Sequence, residues 1–232
     1  MKITLDNVTG YFFEQIKIML EIKKLVFNPL QENTYVVWDE TKQCIIIDPG
    51  CSTKDEEQKL KDFITTKELE PVMLVNTHCH VDHVLGNQFV KDTFKVKLFI
   101  HEKAKAELES VKVYAPAYGI HNYHPAIPDV FWTENDKDFT FGNTTLEIRF
   151  TPGHSPGSIS FIHHETKNAF SGDVLFRDSI GRSDLPGGDY DILKKSIFEQ
   201  LFTLDPDFEI YSGHGPSTNI GHEMKYNPFL GV

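Results

Sequence analysis

The segment Thr77–His83 places the tightest constraint on how this chain can fold. Four side chains of metal-binding type occupy six consecutive positions there, namely His78, His80, Asp82 and His83. The segment follows Val72–Val75, a short apolar run typical of a buried strand. Imidazole and carboxylate groups suit zinc, iron or manganese, and a solvated loop rarely gathers three histidines and one aspartate by chance. The segment therefore predicts a metal site at the end of a buried strand.

Three further loops each carry one metal-binding residue beside a glycine. They are Thr151–Gly157 with His154, Ser171–Asp173 with Asp173, and Ser212–Pro216 with His214. Glycine allows the backbone to bend sharply after a strand, and any one of these loops alone would be an ordinary turn. Together with the first segment, they supply five histidines and two aspartates, which are enough ligands for two metal ions.

Short β-type runs and helical patterns alternate along the chain in two similar halves. The predicted strands are Ile22–Phe27, Thr34–Trp38, Cys44–Ile47, Val72–Val75, Val96–Ile100, Asp138–Phe141, Thr144–Phe150, Ser158–His163, Asn168–Phe170 and Glu209–Tyr211. The predicted helices are Thr53–Thr66, His101–Val111 and Tyr190–Leu204. No linker-like tract interrupts them. The pattern predicts one domain of the α/β class (α+β), with two sheets and helices outside them.

Residues 112–132 follow no regular period. The segment is rich in aromatic residues, among them Tyr118 and Tyr123, and its prolines and Gly119 interrupt any helix or strand. Long aromatic loops in compact domains often cover a binding site. Two interpretations follow: a lid over the metal site, or a loop packed over the core.

The charge balance and the cysteines limit the partners and the compartment. With 34 acidic and 23 basic residues, the formal net charge is -11, which argues against nucleic-acid and anionic-membrane partners. No apolar stretch reaches the roughly 18–20 residues that a transmembrane helix needs, and no secretory signal is visible. Three cysteines at irregular spacing do not indicate a disulfide framework, so a cytoplasmic location is expected.

From Ile22 to the carboxyl end, these motifs resemble the metallo-β-lactamase superfamily, and most closely its compact, single-domain glyoxalase II-like hydrolases. The stretches Gly181–Asp189 and Asn227–Leu230 strengthen the resemblance to that subgroup. It implies a four-layer αββα sandwich of two mixed sheets, with the site at one edge between them. It places the family domain at residues 19–232 and leaves residues 1–18 as an amino-terminal extension without a recognised counterpart.

The resemblance also implies a role for each candidate ligand. The first metal is held by His78, His80 and His154; the second is held by Asp82, His83 and His214; and Asp173 bridges both. Asp82 and Asp173 are the candidate catalytic carboxylates. Asp48, in the Asp-Pro-Gly turn, matches an outer position that steadies the histidine loop, although a simple turn residue is the alternative. Two divalent ions are expected, with zinc first and iron or manganese as alternatives. Cys79, inside the ligand segment, is expected to pack rather than to bind metal.

The implied activity is hydrolysis of a small thioester such as S-lactoylglutathione by a metal-bridging hydroxide. Because the chain ends soon after His214, the helical glutathione-binding domain of glyoxalase II is expected to be absent. One alternative is a persulfide dioxygenase with a single iron on His78, His154 and Asp173. The others are an ester or lactone hydrolase of the same fold and a non-catalytic metal-binding module.

Four residues are candidates for contacting the substrate: Arg177, Arg182, Tyr118 and Tyr123. The two arginines follow the expected bridging aspartate and can bind a carboxylate through charge-assisted hydrogen bonds, although structural ion pairs would explain them equally well. The expected partner is a small anionic thioester, with no nucleic acid and no membrane, and the protein is expected to be a monomer or a homodimer.

Overall fold

A computed structural model describes residues 20–231 of the chain, which contain two six-stranded sheets and a two-stranded ribbon. The prediction for residues 1–18 lies outside the described part. The strands are β1 (Glu21–Phe27), β2 (Glu32–Trp38), β3 (Gln43–Ile47), β4 (Glu70–Val75), β5 (Lys97–His101), β6 (Val130–Trp132), β7 (Asp138–Phe141), β8 (Thr144–Phe150), β9 (Ile159–His163), β10 (Asn168–Gly172), β11 (Leu175–Phe176), β12 (Ser179–Ile180), β13 (Glu209–Ser212) and β14 (Thr218–Asn219).

Six α-helices accompany the strands in the described residues. They are α1 (Lys54–Thr66), α2 (Val81–Val84), α3 (Asn87–Phe94), α4 (Lys105–Tyr114), α5 (Tyr190–Ser196) and α6 (Ile220–Tyr226). Among residues 20–231, none of these helices has both the length and the apolar character needed to cross a bilayer.

Both large sheets mix parallel and antiparallel neighbours. The first has the order β1-β2-β3-β4-β5-β6, antiparallel from β1 to β3 and parallel from β3 to β6. The second has the order β14-β13-β10-β9-β8-β7, in which only β10 and β13 run parallel. Each parallel strand therefore sends its carboxyl end to the same edge of its sheet.

The first sheet is buried on both faces, because side chains of successive strand residues point in opposite directions. In β2 and β3, Val36 and Ile46 contact the outer helices, while Val37 and Ile45 face the second sheet. The helices α1, α3 and α4 complete the outer layer with Leu60, Ile64, Val90, Leu108 and Val111. Helix α1 begins where its sequence predicts, since Thr53 and Glu56 form a capping box at its amino end.

The second sheet packs against the first through an aromatic and aliphatic middle layer. Trp132 of the first sheet meets Phe161 of the second with ring centroids 5.7 Å apart, and Tyr35 meets Phe170 at 5.5 Å. On its far side, the second sheet is covered by α5, the π-helical turn that follows it and α6, through buried Leu193, Ile197, Leu201 and Ile220. The four layers confirm the expected αββα sandwich.

The structure corrects the sequence prediction in two places. Residues 112–132 are not uniformly irregular, because α4 runs on to Tyr114 and Val130–Trp132 forms β6 beside β5. Three residues are too few to show an alternating pattern. The predicted helix Tyr190–Leu204 is α-helical only to Ser196 and continues as a π-helical turn over Ile197–Leu201.

Candidate metal centre

The seven predicted ligands all leave the carboxyl ends of strands at one edge of the sandwich. His78 and His80 follow β4, while Asp82 and His83 lie in the short helix α2. The other three follow strands of the second sheet: His154 comes after β8, Asp173 after β10 and His214 after β13. The sequence spreads these ligands over four loops, and the fold gathers the loops because neighbouring strands end together.

Glycine is required where the last ligand loop passes the site. A Cβ atom on Gly213 would lie 2.1 Å from Asp173 Oδ1 and 2.7 Å from His83 Cε1. No side chain fits in that space, so the backbone itself forms this wall of the cluster.

Three histidines form the first group of ligand atoms. His154 Nε2 lies 2.8 Å from His80 Nδ1 and 3.3 Å from His78 Nε2. All three rings are within 4.9 Å of one another, centroid to centroid. The three nitrogen atoms thus converge on a single point.

Two histidines and a carboxylate form the second group. Asp82 Oδ2 lies 3.1 Å from His214 Nε2 and 3.6 Å from His83 Nε2. The three ligand atoms of this group lie within 4.8 Å of one another, close enough to bind one metal ion. Asp82 and His83 are adjacent in the chain, and the turn of α2 directs both toward the loop that carries His214.

Asp173 touches both groups. Its Oδ2 lies 3.6 Å from His154 Nε2 of the first group and 3.5 Å from His214 Nε2 of the second. Its Oδ1 lies 3.4 Å from His83 Nε2. Asp173 therefore lies between the two groups, with an oxygen near each of them.

Each of the five histidines turns one ring nitrogen toward the cluster and the other toward a protein oxygen. The outward partners are Thr77 Oγ1 for His78 (3.1 Å), Glu107 Oε1 for His80 (3.1 Å), Asp48 Oδ2 for His83 (3.1 Å), the Arg182 carbonyl for His154 (2.7 Å) and the Leu30 carbonyl for His214 (3.1 Å). An acceptor on the outward nitrogen holds the ring proton there and leaves the inward lone pair free. Metal-binding histidines are held in this way.

The donor set fits two divalent metal ions. His83 Nε2 and Asp173 Oδ1 are both buried and have no hydrogen-bond partner among the described residues, which is costly without a ligand. Inward imidazole nitrogens that face one another at 2.8–3.3 Å need a cation or a proton between them. Imidazole and carboxylate donors accept zinc, iron or manganese.

The electrostatics of the cluster also favour a cation. Burial lowers the pKa of His78 well below its usual value, and the neighbouring His83 lowers it further, so His78 is a neutral ligand. Burial alone would lower the pKa of His83 and raise that of Asp173. The attraction between the two side chains outweighs the effect of burial. It raises the pKa of His83 and lowers the pKa of Asp173. Ionised carboxylates that keep a proton on a buried histidine also attract a divalent cation, and metal binding releases that proton.

Asp48 supports the histidine loop from behind. The residue is 2% exposed, with a left-handed φ of 48° at the end of β3. Its Oδ1 accepts the backbone N–H of Thr77 at 2.7 Å, and its Oδ2 accepts the Thr77 hydroxyl at 2.5 Å and faces His83 Nδ1. These contacts are those of an outer residue that orients a ligand.

Two buried carboxyl groups near the cluster were not predicted from the sequence. Glu107, on α4, meets the outward nitrogen of His80. Glu32, at the start of β2, is fully buried, accepts the Thr34 hydroxyl at 2.8 Å and lies 4.0 Å from His83 Nδ1. Burial raises the pKa of Glu32 well above its ordinary value. Both belong to regular elements in which nothing in the local pattern distinguishes them from surface glutamates.

The four candidate substrate residues lie in two different environments: three are exposed and one is packed against the core. The side chains of Arg177 and Arg182 are 53% and 58% exposed, and Arg182 makes two hydrogen bonds to Asp184 at 2.7 and 2.8 Å. Tyr118 is also exposed. Tyr123 instead packs against the helix-side core with its hydroxyl buried, so it is not brought to the cluster. Cys79 lies in the same core, as expected, and all three cysteines are unpaired.

Comparison with known proteins identifies the family and supports the fold. A model of the metallo-beta-lactamase superfamily matches residues 27–214. The hydroxyacylglutathione hydrolase GloC of Haemophilus influenzae is 38% identical over 212 residues, which cover 91% of this chain and 98% of that protein.

Two solved structures are similar over their whole length. The BLEG-1 B3 metallo-beta-lactamase has a TM-score of 0.80 at 35% identity and covers 91% of this chain. The di-iron-bound form of TTHA1623 has a TM-score of 0.79 at 34% identity and covers 90%. The fold and the histidine–aspartate cluster thus define a metal-binding hydrolase. The chain belongs to the metallo-beta-lactamase superfamily, as its motifs predicted.

Proposed function

We propose that this protein hydrolyses a small anionic thioester, with S-lactoylglutathione as the reference substrate, using two divalent metal ions. The observation that carries the proposal is the position of Asp173 between two complete groups of ligands. The similarity to a protein named hydroxyacylglutathione hydrolase supports the choice of substrate class.

Each group of side chains has a distinct task. His78, His80 and His154 would hold one ion; Asp82, His83 and His214 would hold the other; and Asp173 would be shared. When bound, two such ions would supply a hydroxide nucleophile at neutral pH and would polarise a substrate carbonyl. The seven side chains fix the separation of the two positions, and their acceptors keep every ring oriented before the substrate arrives.

Charge explains why an anionic thioester suits the site. Two ionised aspartates do not cancel two divalent ions, so the loaded site is positive within a chain of net charge -11. A positive site stabilises the oxyanion that forms when the carbonyl is attacked. The leaving thiolate has an ordinary pKa of about 8.5, so its departure needs little help from a general acid.

Arg182 is the candidate that brings the substrate to the cluster. Its carbonyl orients His154, while its exposed guanidinium pairs with Asp184. An exposed ion pair contributes little to stability, so a substrate carboxylate can replace Asp184 at little cost. Arg177 and Tyr118 remain further candidates at the exposed rim, and we propose no substrate role for Tyr123.

A second candidate activity is persulfide dioxygenation by a single iron. His78, His154 and Asp173 form the two-histidine, one-carboxylate set that oxygen chemistry uses, with His154 Nε2 3.3 Å from His78 Nε2 and 3.6 Å from Asp173 Oδ2. That activity would leave Asp82, His83 and His214 without a task, although their donor atoms lie together and each ring is oriented. The hydrolase proposal uses all seven residues.

Elemental analysis can identify the metal directly. We propose zinc, and iron and manganese are the alternatives because the ligand set contains no thiolate. A similar protein has been solved in a di-iron-bound form. Elemental analysis of the purified protein gives both the metal and the number of ions per chain.

The activity is tested with a substrate panel on the same preparation. We expect thiol release from S-lactoylglutathione, slower turnover of a lactone, a simple ester and a β-lactam, and no oxygen uptake with glutathione persulfide. One iron per chain with oxygen consumption would overturn the hydrolase proposal. Bound metal without turnover of any substrate would indicate a non-catalytic module.

A pair of histidine variants separates the two activities further. His214→Ala should abolish thioester hydrolysis, whereas a dioxygenase built on the first group would retain its activity. His222→Ala is the matched control, because both side chains are 28% exposed and hydrogen-bonded to an aspartate, yet His222 pairs with Asp178 away from the seven ligands. It should hydrolyse the thioester at the wild-type rate.

A further inference from the structure

The carboxylate of Glu107 lies between the helix-side core and the first group of ligands. Its helix α4 is anchored in that core by Leu108 and Val111. The Glu107 side chain, however, is only 11% exposed and points toward the ligand loops. Its Oε1 meets His80 Nε2 at 3.1 Å, and its Oε2 accepts the Cys79 backbone N–H at 3.0 Å and the Ser155 hydroxyl at 2.8 Å.

His80 depends on this carboxylate more than its neighbours depend on their own acceptors. It is the only one of the five histidines that turns Nδ1 toward the cluster and Nε2 away from it. A carboxylate can only accept a hydrogen bond, so Glu107 keeps the ring proton of a neutral His80 on Nε2. The lone pair on Nδ1 is then free for a metal.

Glu107 also joins the two loops that build the first group. Cys79 belongs to the loop of His78 and His80, and Ser155 belongs to the loop of His154. By accepting from both, one carboxylate fixes the distance between ligands that lie 74 residues apart in the chain.

We propose that Glu107 is the positioning residue of the first metal group, and that it sets metal affinity there without acting on the second group. Asp48 faces the outward nitrogen of His83 in the same way, so each group has its own carboxylate behind one histidine. The inference rests on the metal binding in the proposed function and is independent of the substrate.

The test is zinc binding to the metal-free protein, measured by competition with a chromophoric chelator and without substrate. In Glu107→Gln, we expect one of the two zinc ions to bind roughly 10- to 100-fold more weakly, as for other outer partners of metal ligands. The other ion should bind as in the wild type. Glu109→Gln is the matched control, since Glu109 lies on the same helix with a 66% exposed side chain, and it should change neither affinity.

A second measurement distinguishes positioning from general support of the fold. In a His80→Ala background, Glu107→Gln should weaken zinc binding much less than it does otherwise, because the ring that it orients is gone and only its contacts with Cys79 and Ser155 remain. In a His214→Ala background, which retains the first group, the full loss should persist. Equal weakening of both ions, an undiminished effect without His80, or wild-type affinity in Glu107→Gln would each overturn the proposal. Absence of thioester turnover in the wild type would refute only the proposed activity.

Discussion

The substitution Asp48→Asn separates the fold of the histidine loop from its ability to bind metal. Asparagine has the same shape as aspartate and tolerates the left-handed φ of 48° at this position. Its carbonyl can replace Oδ1 and keep the Thr77 N–H bond. Its amide, in place of Oδ2, would however present hydrogen atoms to His83 Nδ1, which now faces an acceptor at 3.1 Å.

His83 can satisfy that amide only by moving its proton from Nδ1 to Nε2, the nitrogen that faces the cluster. Metal binding then requires the hydrogen bond to be broken again. With metal bound, the amide of the introduced asparagine and the Nδ1–H of His83 would face each other as donors without an acceptor. An unsatisfied buried donor costs about 1–3 kcal/mol, and every 1.4 kcal/mol is about tenfold in affinity. We therefore expect the second metal of Asp48→Asn to bind roughly 5- to 150-fold more weakly, with the first metal much less affected.

The assay is zinc competition combined with ¹⁵N chemical shifts of the His83 ring, which report the tautomer in the metal-free protein. Asp48→Ala provides the comparison. It leaves three buried donors unpaired, places alanine in a left-handed conformation, and should destabilise the fold by about 3–5 kcal/mol in urea unfolding. Asp48→Asn should lose at most about half of that. Unchanged second-site affinity in Asp48→Asn, or an Nδ1-protonated His83 ring, would refute the reasoning.

Three further predictions concern the bridge, its glycine wall and a distant carboxylate. Asp173→Ala removes the carboxylate shared by both groups, so elemental analysis should find little retained metal and thiol-release assays no hydrolysis; near-normal turnover would contradict this. Gly213→Ala places a methyl group 2.1 Å from Asp173 Oδ1 and should reduce zinc affinity at least tenfold, and wild-type affinity would contradict this. Burial opposes ionisation of Asp39, but hydrogen bonds, first from the Thr41 side chain, lower its pKa. The stability that it contributes is therefore present above the unfolded pKa of about 3.9 and lost as the pH falls through the lower folded pKa. Urea unfolding should show Asp39→Ala about 1–2 kcal/mol less stable at pH 7 and approaching the wild type in acid, and a constant difference at all pH values would contradict this.

Much of the fold could be predicted because its strands carry strong local patterns. Asp138–Phe141 and Thr144–Phe150 were predicted with the bounds that the structure shows, since residues alternate between core and surface around the turn at Gly142. Val130–Trp132 was missed because its pairing with β5 is a contact between distant parts of the chain. The end of α5 was missed because the apolar period continues through the π-helical turn.

The residues of the candidate site divide in the same way. Some can be recognised from the neighbouring sequence, and others only from contacts between distant parts of the chain. His78, His80 and His83 were recognisable because they lie together in the sequence. His154, Asp173 and His214 were recognisable only as members of a set of strand-end loops. Glu107 carries no such signal: it lies between exposed Ala106 and buried Leu108 on an ordinary helix, and its role arises from the packing of that helix against two loops.

The origin of the ligands has a consequence for the stability of the sandwich. Four ligands belong to the first sheet and three to the second, and the bridging aspartate joins the two sets. Metal ions at this edge would act as cross-links between two halves of the chain that also meet through apolar side chains and buried hydrogen bonds. At a free metal concentration of 100 times Kd, each ion would add about 2.7 kcal/mol to the folded state. Metal availability would then determine how long the protein stays folded as well as how active it is. Chelation would remove the cross-links between the two sheets at the edge that carries the candidate site.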